Sequence, residues 1–471
     1  MMDDETYSRP EIASLIEERF VAVRVDADRR PDINERYNLG GWPTTAFLTS
    51  GGDTLSGGTY FNAAQMIAAL RQVADAYRDR AAEIGARAAL VRSVRLLGRR
   101  SLGEGGYPDH DPIQLDTVHH SGPQADPASA IGDFRSLLID RFDREHGGFG
   151  SEPKHPHPYA LLFALSLAGD GDGQLRDIVC VTLDRMTALW DATEGGFYRY
   201  ADSSDWSAPS SGKTLEENAA LLHVYVEAAL QLRDDRWRER AAAIVRWVRG
   251  AMIDSGEGGF FNAASSRGID RTMYVDKNAM MAAAFIRAAA LFDDIWLRDF
   301  ALRSLDTVIA PAYTPGNGVA HVMGSTRGHA IRGLLTDQLH GAGALIWAHA
   351  ATGQLPYSML AAELMQFVIR TMWDERAGAF RDRVDPADPI IPFELNCHAA
   401  AVLDRLGILT NEPAYHDRAR LILESLANGY RRHELLGAPY ALAVREVFDR
   451  HPPAGLDLSP VDWQLGRADE R

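Results

Sequence analysis

A glycine-paired turn recurs along this chain and limits the folds open to it. It reads His146-Gly147-Gly148-Phe149-Gly150, then Glu194-Gly195-Gly196-Phe197-Tyr198, then Glu257-Gly258-Gly259-Phe260-Phe261. Weaker echoes follow at Gly316-Asn317-Gly318-Val319, Gly378-Ala379-Phe380 and Gly437-Ala438-Pro439-Tyr440. Self-similarity of this kind marks a repeat architecture. The spacing is irregular and longer than in most solenoids, which suits a closed ring of helix pairs better than an open array. From residue 127 onward the apolar pattern gives six outer–inner pairs. Outer members are like residues 235–252, with Trp237, Ile244, Val245 and Val248 on one face and Arg and Glu on the other. Inner members are like residues 218–232 and 279–291, apolar nearly all round, as helices buried on both sides are. They begin near Pro158, Glu217, Lys277, Asp337, Leu395 and Pro439. Six pairs closing on themselves make an (α/α)6 toroid. The long outer-to-inner connections carry the turns, so function is expected at the N-terminal ends of the inner helices.

The segment ahead of the ring reads differently. Residues 20–26 alternate apolar and polar like a strand, a helix-like stretch covers 31–37, and the runs 45–49 and 54–58 flank Gly51-Gly52-Asp53 as a hairpin. Asn62 is placed to cap a helix running to about Arg80. Residues 101–126 are rich in Gly, Pro, His and Asp without periodicity and read as a linker. The expected division is a small α/β domain over 1–82, a helix and linker over 83–126 and the barrel over 127–471. A net charge of −16 argues against nucleic acid or an anionic membrane surface as partner. Cys180 and Cys397 are far apart in apolar stretches, which implies buried thiols and no disulfide framework. No run is apolar enough to span a bilayer, and no zinc-spaced His/Cys set or nucleotide loop occurs. The expectation is a cytoplasmic protein without metal or cofactor; oligomeric state is left open.

Polar residues gather where the inner helices start. Glu216-Glu217-Asn218, Asp276-Lys277-Asn278 and Glu394-Leu395-Asn396-Cys397-His398 each place an acid before an Asn, and Asp337-Gln338-Leu339-His340 is a relative with Gln. One reading is helix capping. The other is a site: carboxylates across a funnel can serve as acid and base on a sugar, and His340 and His398 can move a proton next to a carbonyl. Asp276, Asp337, His340, Glu394 and His398 are thus the catalytic candidates. Lys154 and His155, in a stretch constrained by Gly and Pro, lie at the mouth of the first inner helix. With Arg199, Tyr200, Trp206, Glu217, Asn218, Asn278 and Asn396 they are the candidates for holding substrate, the aromatics by stacking on a sugar ring; rim bracing and core packing are the competing readings.

Several stretches carry a family resemblance: Val25-Asp26-Ala27-Asp28-Arg29-Arg30-Pro31-Asp32, Gly40-Gly41-Trp42-Pro43, Gly57-Gly58-Thr59-Tyr60-Phe61, Gly147 through Pro156, and Gly195-Gly196-Phe197-Tyr198-Arg199-Tyr200. On these the chain resembles the YyaL-like family of thioredoxin-domain proteins, which includes the spermatogenesis-associated thioredoxin-like proteins. The resemblance implies a thioredoxin-like domain ahead of a six-hairpin barrel similar to acylglucosamine 2-epimerases and other (α/α)6 glycan enzymes. It implies a cis bond before Pro43. It also implies a Cys-x-x-Cys-His-x-Met stretch that Met2-Asp3-Asp4-Glu5-Thr6-Tyr7 would follow, so the thioredoxin-like domain is expected to be incomplete and, as it stands, unable to exchange disulfides. A His and a Glu of the family pattern are replaced here by Ser210 and Gly212.

The resulting expectation is a mainly α protein with sugar- or glycan-directed activity of epimerase, isomerase or hydrolase type, acting on a small sugar-like ligand. A non-catalytic binding scaffold is the alternative, and a thioredoxin-type redox protein is a third if preceding residues supply the dithiol.

Overall fold

The inner helices explain the ring. In the computed structural model, residues 2–39, 41, 43–98, 126–324, 331–384, 389–453, 456 and 458 are described. They form two compact units, Met1–Ser121 and Gly122–Arg471. Helices and strands are numbered in chain order.

In the first unit, α1 (Pro10–Arg19) and α2 (Pro31–Tyr37) each open on a proline, whose fixed φ and missing N–H suit the first helical turn. The expected hairpin forms: β1 (Thr45–Leu48) pairs antiparallel with β2 (Thr54–Gly58). The helix α3 spans Ala63–Gly98. Asn62 caps it as expected, in a reciprocal box in which the Gln65 N–H donates to Asn62 Oδ1 and the Asn62 N–H to Gln65 Oε1, both at 3.0 Å. The helical run breaks at Arg80, where the expected helix ends: that residue leaves helical geometry (φ −136°, ψ 29°), and a second helical segment follows through an Ala-, Arg- and Leu-rich stretch of good helix formers. Residues 20–26 are a correction: they form no strand. Val21 and Val23 are 93% and 78% exposed, and no described strand lies beside them to complete a ladder. Alternation supplies a face, but a strand also needs a neighbour for its main-chain groups. The bond before Pro43 and nearly all of the 101–126 linker lie outside the described residues.

In the second unit, six outer helices alternate with six inner ones among the described residues. The outer set is α4 (Ser129–Arg141), α6 (Gly173–Met186), α8 (Asp235–Ala251), α10 (Ile295–Ala312), α12 (Leu355–Met372) and α14 (Pro413–Leu426); the inner set is α5 (Pro158–Gly169), α7 (Leu215–Leu232), α9 (Val275–Phe292), α11 (Leu335–Thr352), α13 (Phe393–Thr410) and α15 (Ala438–Val447). Each inner helix packs on the next, and α15 packs back on α5 to close the ring. One continuous core, from Ala130 to Leu456, fills the space between the rings. The chain is therefore a mainly α protein built on an (α/α)6 toroid, with a small α/β region at its N-terminus.

Short ribbons decorate the rim: β3 (Gly212–Thr214), β4 (Ala263–Ser265) and β5 (Gly268–Asp270) in one antiparallel sheet, then β6 (Tyr313–Thr314) with β7 (Gly318–Val319), and β8 (Trp373–Asp374) with β9 (Ala379–Phe380). The opposite end turns tightly. Helices α7, α9, α11 and α13 stop on a left-handed residue, Arg233, Asp293, Gly353 and Asn411, with φ between 52° and 69°. Asp234 and Asp294 then cap α8 and α10 directly. Those connections have no length to spare for a binding loop.

Candidate functional site

The glycine-paired turns are held by two repeated devices. An aspartate opens each of four turns and accepts two main-chain N–H bonds through Oδ1: Asp143 from Glu145 and His146, Asp191 from Thr193 and Glu194, Asp254 from Gly256 and Glu257, Asp374 from Arg376 and Ala377. The fourth residue of an inner helix then grips the end of the turn. Phe197, Phe260 and Phe380 donate their N–H to the side-chain oxygens of Asn218, Asn278 and Asn396 at 2.8, 2.7 and 2.7 Å, and Val319 donates to Gln338 at 2.9 Å. Each amide nitrogen donates back to the same turn residue and to the carbonyl just ahead of its own helix. These amides are buried and satisfied, so Asn218, Asn278 and Asn396 have no polar atom left for a substrate. Lys154 is likewise fully buried, paired with Asp143, with its ammonium 5.7 Å from the Trp206 ring. Trp206 is buried and donates its indole N–H to the carbonyl of His146 at 3.1 Å. For these five, the bracing and packing readings describe what the structure contains.

The other candidates line the inside of the ring. On α7, α9, α11 and α13 the second, sixth, ninth and thirteenth residues share one face, as a period of 3.6 requires. At the second position stand Glu216, Asp276, Thr336 and Glu394; at the sixth, on α11 and α13, His340 and His398; at the ninth, on α7, His223; at the thirteenth, Glu227, Arg287, Trp347 and Arg405. Glu217 and Asp337 sit one residue past the second position. His340 and His398 are adjacent, ring centroids 4.6 Å apart. His398 Nδ1 is buried with no hydrogen-bond partner. A Cβ added to Gly343, one turn below His340, would stand 3.4 Å from His398 Nε2, so this glycine leaves room beside the ring.

The electrostatics are those of a concave, poorly hydrated lining. Burial pushes His340 down against the pull of Asp276, and burial with His340 and Arg405 pushes His398 well down. Both imidazoles are held toward the neutral form. Burial and Glu216 push Glu217 up to about 8 despite Arg199. Burial, Glu394 and Glu216 raise Tyr159 on α5, which ties the acids of α7 and α13 to one stretch of the mouth. His155 lies at the surface of the same mouth, its ring centroid 5.1 Å from Tyr200, and burial with Arg199 lowers it. The floor is charged: Glu227 pairs with Arg287, and Arg405 holds Glu446 of α15 through two bonds at 2.6 and 2.8 Å.

The N-terminal part carries the family likeness. Residues 1–94 match the Thioredox_DsbH family, described as a protein of unknown function, DUF255. The chain is also similar to spermatogenesis-associated protein 20 of Mus musculus, 28% identical over 284 residues, covering 56% of this chain and 34% of the mouse protein. An uncharacterized protein of Caenorhabditis elegans is 25% identical over 282 residues, covering 56% of this chain and 36% of that one. The matched region thus spans about a third of the curated relatives. The resemblance read from the stretches between Val25 and Tyr200 holds.

The toroid has its own structural relatives. A sugar epimerase from a ruminal bacterium superposes with a TM-score of 0.54 at 13% identity, covering 64% of this chain and 87% of that one. A D-mannose isomerase gives 0.55 at 12%, covering 64% and 84%. A GH76 α-mannanase from Bacteroides thetaiotaomicron gives 0.55 at 10%, covering 69% and 96%. At such identities the likeness shows the fold.

Of the residues singled out in the sequence, the structure brings Glu217, Glu394, His340 and His398 into the lumen and sets Arg199, Tyr200 and His155 at its mouth. Asp276, on the same lumen face, also meets Asp337 and His321. Sequence reading missed Tyr159, His223, His321, Arg287, Arg405 and Glu446. Four of these were recoverable, since His223, Arg287 and Arg405 lie seven or eleven residues after an acid already singled out, and Tyr159 occupies the same second position. His321 carried no periodic signal, because it belongs to a rim ribbon.

Proposed function

We propose that the toroid acts on a sugar bearing a free carbonyl group, as an epimerase or isomerase, by proton transfer between His340 and His398. The observation that carries this reading is the adjacent pair of imidazoles inside the ring, tilted against each other, one of them with a buried, unpartnered nitrogen. A neutral imidazole removes the proton from the carbon next to the carbonyl, and the electron pair moves to the carbonyl oxygen as an enolate. The imidazolium so formed returns that proton to the neighbouring carbon for isomerisation, or passes it to the adjacent neutral ring, which delivers it to the other side of the original carbon for epimerisation. Rings held toward neutrality are unprotonated at pH 7 and so free to accept a proton. Glu217, Glu394 and Tyr159 are placed to hold hydroxyls, and Tyr200 with His155 offers a ring face at the mouth. No cysteine lies in residues 1–94, so that segment contributes no thiol chemistry of its own.

The test is to incubate the protein with a panel of aldoses and ketoses in D2O and follow deuterium entry next to the carbonyl by NMR. Exchange in the wild type that falls by roughly 10²-fold or more in His340→Ala and in His398→Ala supports the reading. A second reading rests on Glu217, which is pushed up to about 8 and carries a proton at pH 7, as the acid of glycoside hydrolysis must. Release of reducing ends from manno-oligosaccharides without deuterium entry decides for it. A thermal shift with sugars but neither reaction leaves the barrel a binding scaffold.

A further inference from the structure

Three side chains from separate segments meet beside the lumen. Asp276 is the second residue of α9, Asp337 the third of α11, and His321 follows β7 in the rim ribbon between α10 and α11. All three are buried, at 8%, 0% and 0% exposure. One side-chain atom from each, a carboxylate oxygen or an imidazole nitrogen, lies within 4.8 Å of the other two. His321 Nδ1 and Asp337 Oδ1 are 2.8 Å apart. We propose that Asp276, His321 and Asp337 bind a divalent transition-metal ion of the Mn2+ or Zn2+ type, a site that no motif in the sequence announces.

The argument starts from an unsatisfied atom. Asp337 Oδ2 is fully buried and has no hydrogen-bond partner, whereas Asp337 Oδ1 faces His321. A buried oxygen without a partner costs about 1–3 kcal/mol, more if charged. Two carboxylates so close in a dry setting also repel. A dication answers both demands, supplying an acceptor for the lone pairs and the countercharge.

The ligand positions are fixed before any ion arrives. The main chain of His321 is held on both sides, its N–H donating to the carbonyl of Ile331 and its carbonyl accepting from the N–H of Val275, each at 2.9 Å. Its ring centroid lies 5.0 Å from that of Tyr274. Asp276 accepts from the Lys277 N–H at 2.8 Å through Oδ1 and from the Thr336 hydroxyl at 3.2 Å through Oδ2, which orients the carboxylate while leaving lone pairs on both oxygens. Ligand atoms around an ion at roughly 2.1 Å stand about 3.0–3.5 Å apart. The three atoms here lie within 4.8 Å of one another, so they must draw in around the ion. One imidazole with two carboxylates suits Zn2+ or Mn2+ better than Mg2+ or Ca2+, which favour all-oxygen shells. Three protein ligands also leave a coordination position open, as in catalytic rather than structural sites. This inference does not rest on the sugar reading, since it concerns binding of the ion itself.

The experiment uses the full chain, stripped with a chelator, desalted, and titrated separately with MnCl2 and ZnCl2 by calorimetry, with Mn2+ also followed by the loss of its free-ion EPR signal. Expected is one ion per chain for at least one of the two metals, with affinity weakened roughly tenfold or more in Asp337→Asn and in His321→Gln. A surface control, Glu363→Gln on α12, should bind as the wild type does. If Asp337→Asn fails to fold by circular dichroism, Asp276→Asn takes its place. No stoichiometric binding in the wild type, or equal affinity in the wild type and the ligand variants, overturns the proposal and leaves a water molecule or a bare cluster at this position.

Discussion

The side chain of Asn278 is hydrogen-bonded in both directions to the main chain of Phe260, accepting its N–H at 2.7 Å and donating to its carbonyl at 3.0 Å. A side-chain amide thereby does the work of a strand neighbour, and a third bond, to the carbonyl of Tyr274, ties the turn to the start of α9. Asn278→Ala removes all three partners at a site 2% exposed. The expected loss is about 2–4 kcal/mol, since buried main-chain groups are left unpaired. Asn278→Asp should cost nearly as much, because a carboxylate cannot donate to the two carbonyls. Urea denaturation of both variants measures this.

The glycine before Phe197 is constrained by space as well as by backbone. Gly196 has φ +84°, and a Cβ there would lie 2.6 Å from Trp247 Cε2. Gly150 has a similar φ of +75° but open space around it. Gly196→Ala should therefore destabilise by more than Gly150→Ala, whose cost is the left-handed strain of about 1 kcal/mol. Melting temperatures of the two variants make the comparison.

Acid stability tests the buried ion pair of the first turn. Burial raises Asp143, but hydrogen bonds from Lys154 and from the N–H groups of His146 and Glu145 bring it down to about 2. A depressed carboxyl contributes stability that is present above its unfolded value near pH 4 and is lost as the pH falls toward 2. Lys154→Met should be less stable at neutral pH by about 1–3 kcal/mol, since Asp143 is half-buried and keeps its two main-chain N–H bonds when it loses the charged partner. Its stability should also fall less steeply between pH 4 and 2. Guanidinium midpoints across that range report both effects.

Glu217 has the opposite sign. Its folded value of about 8 lies above the unfolded one near 4.3, so the folded state holds the extra proton and stability declines as the pH rises between them. Glu217→Gln should match the wild type near pH 4.5 and melt higher at pH 8. A variant that tracks the wild type at every pH would show that Glu217 ionises normally.

The two imidazoles of the lumen should behave as a unit. If His340 and His398 share one proton transfer, the double variant His340→Ala/His398→Ala loses little more deuterium exchange than either single variant. Additive losses would mean the rings act separately.

The sequence by itself determined the ring. Turn motifs and two-sided apolar helices depend on local chemistry and helical period, so the six inner helices begin within two residues of their expected places, and the hairpin and the Asn62 cap form as read. It also marked both lumen histidines, which lie one helical turn below the rim acids. What it did not decide was how each rim residue is used. Asn218, Asn278 and Asn396 look in sequence like a polar crown, yet their amides are consumed by turns from about 16 to 21 residues earlier in the chain. The strand expected at 20–26 stays unpaired because a ladder depends on a neighbour that periodicity does not specify. The meeting of Asp276, His321 and Asp337 likewise depends on how two helix starts and a rim ribbon pack. Distances across a closed ring are set by tertiary contacts, and no local pattern in the chain encodes them.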